Sequence, residues 1–338
     1  MNSRERVWRA VTFGQPDRIP LDLWHLPGTW ERYGEDLAAL LRCHPLDMGP
    51  TGYHIPWEDP VQFFAGEWRD PWGVVWHNSH PGIFGYASGF PAAEDAQALS
   101  YRPPWELAEA GCDEMDATLR DDHERFALAG CVRLFERLQW LRGTERLMFD
   151  VAEDHPALYA LRDRVHEFNM RNLAALLRHD VDGILLMDDW GSQRSLLISP
   201  RDWRRVFAPC YREMFAAVHT AGKLVFFHTD GFIEPIIEDL VAMGVDALNC
   251  QVTCMNTTWL AQRFAGRVCF WGEPDRQHVL PYGTPADVHA EIRRLVNSLS
   301  CPNGGIIGLG TAMPDVPLAN IEALLAAWNA TDEGAGTV

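Results

Sequence analysis

The apolar positions along the chain keep two alternating rhythms. Short, nearly continuous apolar runs such as FALAGCV at 126–132, VDGILLM at 181–187 and LVFF at 224–227 are each followed by stretches with apolar residues three or four apart. Continuous runs are the mark of parallel strands buried on both faces. Strands are predicted near residues 20, 47, 129, 185, 226, 248, 270 and 307. Helices are predicted over 3–13, 37–41, 104–122, 134–141, 144–150, 155–179, 199–219, 233–243, 259–264, 285–299 and 317–328. Pro200 after Ser199, with Asp202 in the first turn, is one clear helix start. Eight strands alternating with helices predict an α/β fold, a closed (β/α)8 TIM barrel. It forms a single domain over residues 1–330, with 331–338 as a tail. The alternative, a doubly wound sheet, lacks its phosphate loop: neither GxGxxG nor GxxxxGK[ST] follows any strand.

The rhythm breaks between 50 and 103. Trp57, Trp68, Trp72 and Trp76 stand there among Gly and Pro, with His54, His77 and His80. EWRDPWGVVW reads as a hairpin turning at Asp70-Pro71, and a second hairpin is expected around Gly85–Gly89. This is an aromatic-rich insertion after the second strand, long enough to cover the barrel mouth.

Composition narrows the partners. The formal charge is −18, from 29 basic and 47 acidic residues. Nucleic acid and anionic membrane surfaces, which need clustered cations, are therefore not expected. No run of 18 apolar residues suggests a membrane span. The N-terminus MNSRERVWRAVTFG has neither the apolar core nor the cleavage pattern of a signal peptide. The eight Cys are scattered and form no CxxC, which fits a reducing, cytoplasmic setting. A small-molecule substrate is expected, and a homodimer is open to it.

In a β/α barrel the chemistry gathers at the C-terminal ends of the strands. Asp22, Trp24, His25 and Trp30 follow the first strand, and Asp188, Asp189, Trp190 and Gln193 follow VDGILLM. His228 and Asp230 follow LVFF, Gln251 follows the strand near 248, and Glu273 and Arg276 follow the strand near 270. His228 and Asp230 are two apart and point the same way on an extended strand end. With Glu273 they form either a hard N/O metal site of the kind zinc takes, or a proton relay. Asp188 joins these three as a catalytic candidate. Asp22, Trp24, His25, Trp30, Asp189, Trp190, Gln193, Gln251 and Arg276 are expected to bind substrate.

Several of these segments carry a family pattern. RERVWRAVTFGQPDRIPLD, DDWGSQRSLLISPRDWRRVFAP, HTDGFIEPIIEDLVAMGVDALN, FWGEPDRQHVLPYGTPADV and PDVPLANIEALLAAW together resemble the uroporphyrinogen decarboxylase-like superfamily over nearly the full length. The resemblance implies a (β/α)8 barrel and either of two chemistries, tetrapyrrole decarboxylation or cobalamin-linked methyl transfer. True uroporphyrinogen decarboxylases carry an Arg-rich first strand and loop; PLDLWHLPGTWER has no such Arg pair. Zinc-dependent methyltransferases of the superfamily carry His-x-Cys and a later Cys. Here the first position reads His228-Thr-Asp230, and GGIIGLGTAMPD holds no Cys. The branch that best matches demethylates a substrate. The resemblance thus implies a corrinoid-dependent methyltransferase acting on a small methoxylated compound, aromatic ones included. Zinc would assist at His228, Asp230 and Glu273, and the corrinoid would come on a separate protein. The alternatives are a metal-independent decarboxylase or other lyase of a small aromatic or heterocyclic acid, using Arg276 with Asp22 or Asp188, and a non-catalytic ligand-binding barrel.

Overall fold

The computed structural model describes residues 1–49, 63–109, 119 and 122–330. The strands are β1 (Leu21–His25), β2 (Gly66–Arg69), β3 (Val75–Asn78), β4 (Tyr86–Gly89), β5 (Leu128–Val132), β6 (Gly183–Met187), β7 (Leu224–Thr229), β8 (Ala247–Cys250), β9 (Cys269–Gly272) and β10 (Ile306–Ala312). Seven of them form one curled parallel sheet in the order β1-β10-β9-β8-β7-β6-β5. The other three form the small antiparallel sheet β2-β3-β4. The molecule is a single α/β domain, a distorted barrel with an aromatic-rich antiparallel insertion.

One of the eight expected barrel strands is missing as a strand. The segment near residue 47 makes only an isolated parallel bridge, Met48 with Phe126. It nevertheless spans the gap between the two edge strands. The Asp47 amide donates to Leu21 O (2.8 Å), and the Phe126 and Gly49 amides bond Asp47 O and Phe126 O (2.9 Å each). The fully buried Asp47 carboxylate holds the segment in place. It accepts from Arg6, Arg18, Ser3 and the Leu21 amide at 2.6–2.9 Å. Side-chain ionic bonds here replace the backbone ladder of a full strand.

Period-two alternation sorts the strand residues to two cores. Leu185, Phe226, Ala247, Cys269, Trp271, Ile307 and Leu309 pack inside the barrel. Val7, Ala10 and Val11 of the helix Ser3–Val11 join that cluster and plug its lower end. Ile184, Leu186, Val225, Phe227, Leu248 and Phe270 face outward, toward the helices. Each fully buried Phe of this kind contributes roughly 1.5–3 kcal/mol relative to exposure.

Three of the expected helices differ: the stretch 37–41 is part of a longer helix, Pro27–Cys43, and two others change form. The stretch 199–219 is split at Phe207 into Pro200–Val206 and Ala208–Thr220. Pro209 has no amide hydrogen to continue the first helix. Trp105–Glu109 is a 3-10 turn; most of the rest of the predicted helix 104–122 lies outside the described residues, as do His54, Trp57 and the tail 331–338.

The insertion is fastened by its own tryptophans. Trp72 packs against Phe168 (4.5 Å between ring centroids) and Trp76 against Trp140 (5.2 Å). The Arg137 guanidinium lies 4.4 Å from the Trp72 ring and 4.8 Å from that of Trp140. Trp72 and Trp76 are therefore buried anchors on the helix layer. On the far side, the Gly28 amide, just past β1, donates to Gly82 O (3.0 Å). No helix among the described residues is long and apolar enough to cross a membrane.

Candidate active site at the barrel mouth

The inward alternation continues past the ends of β6 and β7 and selects the site. After Met187, Asp189 is the next inward residue; after His228, it is Asp230. His228 Nε2 stands 3.5 Å from Asp189 Oδ1 and 3.8 Å from Asp230 Oδ1. Donor atoms of all three lie within 4.8 Å of one another. The imidazole is buried and the two carboxylates are partly open to solvent. Two loops must approach closely to make this cluster. Gly191 and Gly231 permit it: a Cβ on Gly191 would lie 2.5 Å from Phe232 N, and one on Gly231 would overlap the Gly191 backbone. Gly231 also has φ +81°. The glycines of DDWGSQ and HTDG are thus needed for one backbone contact, tied by Gly191 N to Asp230 O (3.0 Å) and Phe232 N to Ser192 O (2.7 Å).

Electrostatics couples the cluster. Burial pulls the His228 imidazole down. The hydrogen bond to Asp189 and the charges of Asp230 and Asp189, aided by Asn249, outweigh it and lift the group to about 9. Burial pushes Asp189 up, but its bond to His228 and the His228 charge hold it below the usual carboxylate range. Trp24 covers the imidazole, with ring centroids 5.0 Å apart, and meets Trp271 edge-on at the same distance. Beneath Trp24, burial raises Asp22 to about 6; its Oδ1 accepts the Leu23 amide at 2.9 Å.

Glu273 does not join His228 and Asp230 as a third ligand. It is buried and its Oε2 accepts from Thr311 (2.7 Å). Arg276 stands between, ion-paired to Asp230 and 3.5 Å from Glu273 Oε1. Burial raises the Glu273 pKa, against the pull of Arg276. The three-donor group is completed by Asp189, which was expected to bind substrate.

Asp188 and Trp190 face the other way. Asp188 is fully buried and accepts the amides of Leu134 (2.9 Å) and Glu136 (2.7 Å) and the Tyr211 hydroxyl (2.5 Å). Burial raises it to about 6. Its oxygens are spent on fastening the helix Phe135–Arg142 and the helix Ala208–Thr220 to the strand end. Trp190, expected as a pocket wall, is fully buried, stacked on Phe135 (4.0 Å) and surrounded by Trp203, Phe207 and Tyr211.

The remaining candidates hold loops or form the rim. Gln193 Nε2 donates to Gln251 Oε1 (3.0 Å), which also accepts the Gly231 amide (3.1 Å). These two glutamines tie together the loops after β6, β7 and β8. Trp30 Nε1 donates to His25 Nδ1 (2.9 Å) as an exposed rim pair.

One residue escaped the sequence reading, as did the contact made by another. Glu136 opens the helix Phe135–Arg142, and its carboxylate accepts from Arg133 Nε (3.1 Å). Burial, opposed by Arg133 and reinforced by Asp189 and Asp188, lifts it to about 8. The signal available was an acid four residues after an apolar strand. Asn249, inward on β8, touches His228 directly; only strand pairing reveals that.

The donor set fits a zinc-type ion. It offers one imidazole nitrogen and two carboxylate oxygens within 4.8 Å of one another, the hard N/O donors that such an ion takes. It does not offer the thiolates of a His-x-Cys centre: Cys250 is buried beside Glu273 with its thiol pKa pushed up, above all by burial.

A curled parallel β/α barrel with imidazole and carboxylates converging at its C-terminal mouth defines the class of the protein. The chain matches the uroporphyrinogen decarboxylase (URO-D) family over residues 139–331 and belongs to that family. Among solved structures it is similar to a methyltransferase from Methanosarcina mazei. The TM-score is 0.71 at 15% identity, covering 97% of this chain and 98% of the other. A 3-keto-D-glucoside 4-epimerase from E. coli aligns with a TM-score of 0.41 at 13% identity, over 72% of this chain and 96% of that one. No curated protein matches. The family resemblance expected from the motifs is borne out, and the shared architecture with the methyltransferase is one of fold.

Proposed function

We propose that the protein is a methyltransferase that removes the methyl group of a small methoxylated compound, aromatic ones included, and passes it to a corrinoid carried by a separate protein. The observation that carries this reading is the convergence of Asp189, His228 and Asp230 at the mouth. Asp189, His228 and Asp230 would hold zinc, whose Lewis acidity would favour departure of the ether oxygen. Trp24 offers a flat apolar wall against His228 for the body of the substrate. Glu136, which keeps its proton to about pH 8, supplies the proton that the departing oxygen takes up. Arg276 holds Asp230 in place and neutralises part of the carboxylate charge. The insertion would cover the mouth and set which substrates enter. The decarboxylase alternative asks Arg276 to hold a substrate carboxylate; its pairing with Asp230 and Glu273 counts against that role.

The test joins metal analysis to turnover. Freshly purified protein is expected to carry about one zinc per chain, lost in His228→Ala. With a reduced corrinoid protein, a methoxylated substrate should yield its alcohol or phenol and one transferred methyl group. Zinc-loaded, folded protein that leaves a broad panel of methoxylated compounds intact would sink the proposal. Release of CO2 from an aromatic acid without corrinoid would replace it with the decarboxylase.

A further inference from the structure

Asn249 is almost fully buried and sits on β8 directly opposite His228 of β7. Its amide is oriented from the far side. Nδ2 donates to the Trp271 carbonyl on β9 at 2.7 Å. A carbonyl only accepts, so the nitrogen end of the amide must face Trp271 and the oxygen end must face β7. There Oδ1 meets His228 Nδ1 in a close hydrogen bond. Since Oδ1 only accepts, Nδ1 must carry a hydrogen. The other ring nitrogen, Nε2, is then the one turned to Asp189 and Asp230.

We propose that Asn249 is a positioning residue that holds the Nδ1–H of His228 and so fixes the orientation of the ring, with Nε2 presented to the two carboxylates. The inference deepens the metal-site reading and rests on it for its functional meaning. Strand β9 orients Asn249, and Asn249 orients His228, so three adjacent strands act in series. A histidine that ligates through one nitrogen commonly donates its other N–H to such a partner, and that partner strengthens binding. The choice of a neutral amide has a consequence. The mouth already holds Asp189, Asp230 and Glu273, and Asn249 orients the ring without adding a fourth negative charge.

The experiment uses the full chain labelled with 15N-histidine. In metal-free protein at neutral pH, the His228 Nδ1–H is expected as a slowly exchanging resonance, assigned by its absence in His228→Gln. Zinc affinity is measured in parallel by competition with a chelator. Asn249→Leu should lose the resonance and bind zinc roughly 10–100-fold more weakly. Asn249→Asp keeps the acceptor facing Nδ1 but loses the donor to the Trp271 carbonyl, and should keep the resonance with an affinity between those of wild type and Asn249→Leu. Absence of the resonance from folded wild-type protein overturns the proposal without any variant. So does an Asn249→Leu protein with the resonance and zinc affinity unchanged. A wild-type protein with the resonance, lost in Asn249→Leu, but with no zinc binding supports the positioning role and overturns the metal reading instead.

Discussion

Asp188 and Asp189 are neighbours in sequence and end on opposite faces of the sheet. Asp188 lies in the dry layer between strands and helices, where two amides and the Tyr211 hydroxyl satisfy it. Asp189 lies on the inner side, partly open to solvent, facing His228. The same division holds one residue further on, where Trp190 fills the outer core and the inner core is roofed by Trp24. The outer face converts polar and aromatic residues into stability, because the Asp188 carboxylate is fully hydrogen-bonded there and the Trp190 ring is packed on all sides. The inner face leaves its groups only partly satisfied, and a partly satisfied group is what a ligand or a proton can use.

The contrast is broken or sharpened by paired substitutions. The largest effect is expected on the inner face. Asp189→Ala or Asp230→Ala should weaken zinc binding by at least roughly 100-fold while the thermal midpoint moves little, read by chelator competition and calorimetry. Next comes Trp190→Ala, which should cost about 3–5 kcal/mol of stability through the cavity it opens, measured by denaturant unfolding. Zinc affinity of the fraction that stays folded should be retained. If Trp190→Ala instead abolishes binding at unchanged stability, the two faces are not separate in function. Asp188→Asn should cost about 1–3 kcal/mol, since one amide N–H would then face an NH2 group.

The smallest effect is one of pH. His228 is raised from 6.5 to about 9, so the native state binds its proton more tightly than the unfolded chain. In chelated protein its contribution to stability is complete below pH 6.5 and is lost as pH rises through about 9. Glu136, raised to about 8, works in the same direction over a lower range, from its unfolded value near 4.5 upward. Thermal midpoints measured from pH 6 to 10 should fall, and His228→Gln should flatten the upper part of the fall. An unchanged slope in that variant would mean that the imidazole is not paired as described.

Much of the fold was legible. Helix and strand alternation, the insertion and the N-terminal helix follow from local patterning, because buried parallel strands and amphipathic helices differ in period. The strand ends that carry chemistry were also legible, since polar residues directly behind an apolar run mark the mouth. The eighth strand was not. Leu46–Met48 has the right residue types, yet Asp47 draws Arg6 and Arg18 to it and leaves only a bridge. Within the mouth, Glu273 was taken for a ligand because its strand end was right; Thr311 and Arg276 occupy it.

By itself, the sequence determined the β/α order, the family, and the two segments, DDWGSQ and HTDG, whose residues meet at the mouth. Asp188, expected from the sequence to be catalytic, faces away, and it is Asp189 that shares the inner face with His228. Only the tertiary structure decided how near these groups come, which carboxylates are already paired, and that Asn249 fixes the ring between them. The reason is physical. Periodicity is a property of one strand, whereas separation, burial and hydrogen-bond satisfaction are set jointly by strands far apart in the chain, closed side by side around one core.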